Sequence, residues 1–140
     1  KDIFYLVIRD EARHVTFGVN YLEEFVNTLS EEERNDRAQF AYEACVVMRN
    51  RFGSTNVINH YGWDPEAAAE AQVGSEAGRL FANLLFSKIM PNLRKIGLLN
   101  DEVSEKYEEM GILQFKDLDD ASVTDWDEMT KPLDYAYKTS

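Results

Sequence analysis

Apolar residues recur with a helical period almost from the start of this chain. On a helical wheel over residues 2–28, Phe4, Val7, Ile8, Val15, Gly18, Leu22 and Phe25 gather on one side, and Arg9, Arg13, Thr16, Asn20, Glu24 and Asn27 on the other. Tyr5, Ala12, Val19 and Val26 form a second apolar flank roughly 100° from the first. A helix apolar over so wide an arc needs neighbours on two sides. The rest of the chain is expected to supply one of them. The first residue is Lys1 and the apolar period is already running at Ile3 and Phe4 without a capping residue before it, so the helix is expected to be entered partway along.

Further along, Ser30 and Glu33 have the spacing of a capping box, which predicts a second helix packed antiparallel to the first. Its stripe is Ala38, Ala41, Cys45, Met48 and Phe52, with Gly53 as the stop. Residues 53–63 lack a helical period and read as a loop packed by Tyr61 and Trp63. Asp64 followed by Pro65 is a strong helix start, predicting a third long helix to about Met90 with Val73, Ala77, Leu80, Leu84 and the stem of Lys88 inward. Pro91 should break or kink it, with residues 92–99 continuing for two turns. A shorter helix is expected over Asp101–Met110, ended by Gly111. From Ile112 to Ser140 the period is lost; the stretch is acidic but carries Phe115, Leu118, Trp126, Met129, Leu133, Tyr135 and Tyr137. So many apolar anchors predict an arm docked on the helices or on a neighbouring subunit. The expectation is an all-α chain: a helical domain over 1–111, of three long helices and a shorter fourth, and an irregular docking arm over 112–140.

Within the apolar stripe of the first helix stand Glu11 and His14, three residues apart and therefore on one face. An unpaired carboxylate buried there would cost several kcal/mol or stay protonated, and a cation is one of few partners that keeps it ionised. The pair therefore reads either as two metal ligands or as a core histidine beside a salt-bridged acid. Glu43 lies off the stripe of the second helix and reads as solvated or paired, and His60 as a surface or hydrogen-bonding residue. Glu70 and Glu76 border the third helix's stripe and are the remaining carboxylates that could reach a metal.

The run Arg9-Asp10-Glu11-Ala12-Arg13-His14-Val15-Thr16-Phe17-Gly18 resembles the second Glu-x-x-His segment of ferritin-like di-iron carboxylate proteins, in the branch that includes the ribonucleotide reductase small subunit. Phe40 to Phe52, and Gly74 through Phe86-Ser87-Lys88-Ile89-Met90-Pro91 to Leu98, are similar in pattern to the C-terminal half of such proteins, so the resemblance covers about residues 1 to 115. It implies half of a ferritin-like bundle and an oxidase or oxygenase with an iron–iron or iron–manganese centre. Glu11 and His14 would then be ligands of one metal and Asp10 a carboxylate bonded to a ligand histidine from elsewhere. In that architecture two helices each give a carboxylate and two others each give a Glu-x-x-His pair. This chain has one such pair, because Val57 stands three residues before His60. The site therefore implies a partner across the first helix, either a missing N-terminal half or a second copy in a homo-oligomer. The alternative is a metal-free interaction or dimerisation module that has lost the site.

Composition narrows the remaining classes. A formal net charge of −11 disfavours nucleic acid and anionic membranes as partners. No apolar run approaches the roughly 20 residues of a membrane span. Cys45 is the single cysteine and sits among Ala41, Ala44 and Met48, so it reads as a small core residue in a reducing, cytoplasmic setting.

Overall fold

The computed structural model describes residues 2–51, 55–70 and 74–123. Six helices follow in order: α1 (Asp2–Val26), α2 (Glu31–Arg51), α3 (Thr55–His60), α4 (Pro65–Ala69), α5 (Glu76–Lys95) and α6 (Asp101–Glu109). Two short 3-10 turns, Leu113–Phe115 and Ala121–Val123, complete the described chain, which contains no strand among those residues. The protein is all-α.

Local chemistry sets most of the boundaries. The Ser30 backbone N–H donates to the Glu33 carboxylate at 2.9 Å while the Glu33 N–H donates to Ser30 Oγ at 3.3 Å, the reciprocal bonds of a capping box. Asp64 Oδ1 accepts from the N–H groups of Glu66 and Ala67, both at 2.9 Å, with Pro65 opening α4. Asn100 caps α6 through a 2.9 Å bond from the Val103 N–H. Helices α5 and α6 both end in Schellman motifs. Leu98 N–H reaches back to Leu93 O and Gly97 N–H to Arg94 O, each at 3.0 Å; Ile112 N–H likewise reaches Tyr107 O at 3.1 Å and Gly111 N–H reaches Glu108 O at 2.8 Å. Gly97 (φ 79°) and Gly111 (φ 72°) supply the left-handed residue each motif requires.

Three expectations change here. Residues 55–60, expected in a loop, form α3, with Ile58 buried and Tyr61 stacked on Trp63 at 5.3 Å. The helix expected to run unbroken from Asp64 to Met90 is α-helical over Pro65–Ala69, Glu70 and Gly74 are π-helical, and a new α-helix starts at Glu76, where Ser75 Oγ accepts the Gly78 N–H at 3.0 Å. Pro91 neither ends nor interrupts α5, which continues through it to Lys95 and stops at Gly97 rather than Leu99. Phe52, Gly53 and Val73, named as stripe or stop residues, lie outside the described residues.

The core gathers at one end of the long helices. Val19 and Val26 of α1, Ala38 and Cys45 of α2, Phe86 and Met90 of α5 and Val103 and Tyr107 of α6 meet there, joined by Ile96, Leu98 and Ile112. The α5 stripe is thus Phe86, Met90 and Leu93, not Leu80 and Leu84, which remain exposed. Helix α5 is apolar on more than one side, so its period alone could not say which side would be covered. Helices α1 and α5 run parallel: Glu23 pairs with Lys95 at 3.2 Å, and Val26 lies beside Gly97. The matched numbers rise together along the two helices.

Candidate functional site

Helix α1 meets the core through Val19 and Val26, with Ala12 half-buried on the same flank. Thr16, which the wheel placed on the wet side, is buried at 7% exposure. Its hydroxyl lies 3.0 Å from two carbonyl oxygens, those of Ala12 one turn earlier and Ala121 far along the chain, and shares its proton between them. The polar side chain is thus satisfied on a buried face. A wheel scored by hydropathy cannot anticipate such a contact. Asn92 completes the clamp, its Oδ1 accepting the Ala121 N–H at 2.8 Å.

The side of α1 that carries Glu11 and His14 is left open. Both side chains are 68% exposed, with His14 Nδ1 3.7 Å from Glu11 Oε2. The helical spacing has brought carboxylate and imidazole together as expected, but no other part of the described chain covers them. Around them Val7, Val15, Leu22 and Phe25 are all exposed, as are Phe17 and Tyr21, which extend the apolar surface beyond the predicted stripe. Phe17, Tyr21 and Phe25 stack in series, with centroids 6.4 and 6.5 Å apart. A side chain at Gly18 would meet nothing within 4 Å, so the surface one turn after His14 is unobstructed. Asp10 is exposed on the same half of the helix.

The other candidates stand apart from this pair. Among the described residues no three acids, histidines or cysteines come together in a way that could hold a metal ion. Glu70 and Glu76 are exposed near the α4–α5 junction. Glu43 is exposed and accepts a 2.9 Å bond from Gln39, in line with its reading as solvated or paired. His60 is exposed, edge-on to Tyr61 at 5.0 Å. Cys45 is buried and accepts from the Tyr107 hydroxyl at 3.8 Å; burial pushes its thiol pKa up, which holds it as an inert thiol.

The Glu11–His14 pair offers one oxygen and one nitrogen donor on a rigid element, a donor set suited to iron, manganese or zinc. Two donors fit part of a carboxylate-rich centre and are too few to make one. Among the described residues no helix is long and apolar enough to cross a membrane. No family model, no curated protein and no solved structure matches the chain.

Proposed function

We propose that this chain is part of a ferritin-like di-metal oxidase or oxygenase, and that α1 contributes one Glu-x-x-His pair to an iron–iron or iron–manganese centre completed across its open face. The observation that carries this reading is the position of Glu11 and His14: adjacent to each other, on a side of α1 that the core of the described residues leaves uncovered, and framed by exposed apolar residues. Covering that face with a second set of helices would bury the carboxylate. Burial would then require a cation beside it, and metal ions are the cations that a neighbouring imidazole also binds. When bound, such a centre supplies dioxygen chemistry. This chain's residues would hold one metal through Glu11 and His14, leave room beside it at Gly18, and exclude water with Val7, Val15 and Leu22. Asp10 would orient a histidine of the covering half.

A second reading, a metal-free helical interaction module, draws on the same pair: at 3.7 Å the carboxylate lies within ion-pairing distance of a protonated imidazole, and no third donor is near among the described residues.

Elemental analysis after supplying ferrous iron and manganese separates the two. The centre predicts about one metal atom per chain, one for each Glu-x-x-His pair, lost in His14→Ala. No metal in either protein would overturn a centre completed by a second copy of this chain, and no metal after the covering half is supplied would leave the interaction module.

A further inference from the structure

Among the described residues one long side of α1 has no neighbour, and its chemistry is complementary to itself. Val7, Ile8, Val15, Phe17 and Tyr21 are exposed there, with Glu11 and His14 between them. Together with Leu6 these apolar residues expose on the order of 700 Å² per copy before the acid and imidazole are counted, against the about 800 Å² that each partner gives to a standard protein interface.

We infer that the body seated on this side is a second copy of the chain, its α1 antiparallel to the first about a two-fold axis midway between Glu11 and His14. Positions equally far from the axis in opposite directions then face each other. Glu11 meets the partner's His14 and His14 meets the partner's Glu11, so each carboxylate finds an N–H donor across the axis. Asp10 falls beside the partner's His14 as well, by helical spacing. The same register seats Val7 on the partner's Gly18, where even an added Cβ would meet nothing within 4 Å. Towards one margin Ile8 lies next to the partner's Val15; towards the other, Leu6 lies between the partner's Phe17 and the partner's Tyr21. Other pairings lose these matches. Parallel helices would set Glu11 beside the partner's Glu11, a juxtaposition of like charges. An antiparallel register centred on Gly18 would lay Glu11 against the partner's Phe25 and bury the carboxylate without a donor. The inference rests on the proposed covering of this face and names what covers it, while its test reads pairing rather than metal, so either can fail alone.

The test uses the full chain, first in sedimentation velocity, where the expected result is a dimer. Register is then read by disulfide trapping in the double variant Val7→Cys/Gly18→Cys, whose sites are exposed or open enough to keep the helix intact. Within one chain the two positions stand about 16 Å apart along the helix at 1.5 Å per residue, too far for an internal bond. Mild oxidation should therefore give a covalent dimer in several-fold higher yield than in either single variant, and Cys45, buried in all of them, supplies the common background. Three results would overturn the inference: a monomeric parent chain, self-linking of Val7→Cys alone, which marks a parallel pair, or a dimer whose double variant links no better than the single ones, which places the contact elsewhere. A trapped dimer that takes up no manganese would support this pairing and overturn a metal centre completed by it.

Discussion

Tyr107 is buried with a thiol as its hydrogen-bonding partner, Cys45 Sγ at 3.8 Å, and with the Tyr42 ring edge-on at 5.4 Å. Burial pushes the phenol well above its ordinary 10.0, helped by the adjacent thiol; burial also raises the Cys45 thiol above its ordinary 9.0. In both groups the fold favours the protonated form. Their contribution is therefore intact below the unfolded pKa values and declines as pH rises past them, because the unfolded chain gives up protons that the folded chain keeps. Urea denaturation between pH 8 and 11 should show stability falling above about pH 9. In Tyr107→Phe the fall above about pH 10 should be shallower, by up to ~1.4 kcal/mol per pH unit, the value of one proton. A fall of equal slope in the variant would assign the alkaline loss to other groups.

Among the elements, α1 shows what periodicity can and cannot tell. Its width of apolar surface implied two neighbours, of which the described residues supply one, and Ala12, Val19 and Val26 were recognisable as a flank and form the one that meets it. Which flank the chain itself would cover was not legible, because hydropathy weighs both alike. Thr16 marks the choice: its hydroxyl is buried only because Ala121 arrives with a carbonyl to accept from it, and that encounter joins residues 105 positions apart. Thr16→Val keeps the shape and removes the donor. It should cost about 1 kcal/mol in chemical denaturation and speed amide exchange at Ala121; exchange no faster than in the parent would mean Asn92 alone holds the turn. By contrast the capping box at Ser30, the Asp64-Pro65 start and the Gly111 stop were all readable, since each is decided by residues within one turn. The restart at Ser75 was equally local, but its signal was masked by apolar residues that continue the period on both sides of it.

At the scale of the molecule, α1 gives one side to the core and leaves apolar surface on another side of the same turns. Leu22 and Phe25 are exposed on the open side of α1 although Val26, their neighbour in sequence, is fully enclosed. Replacing Leu22 with Glu should therefore leave the chain's own stability within roughly 0.5 kcal/mol, as for a surface substitution. The same change should abolish any assembly through α1, seen as a loss of the larger species in sedimentation. A large loss of stability in the isolated chain would show that the side is already covered within the monomer.

That arrangement makes α1 a shared lever. Val19, Val26 and Thr16 fix the helix against the rest of the chain, while the side chains of Glu11 and His14 stand largely exposed on its open side. Any ligand that orders those two side chains lowers the cost of ordering them for the next. An ion held by the pair and a body seated against the open side would thus act as coupled ligands, each raising the affinity for the other by the same factor.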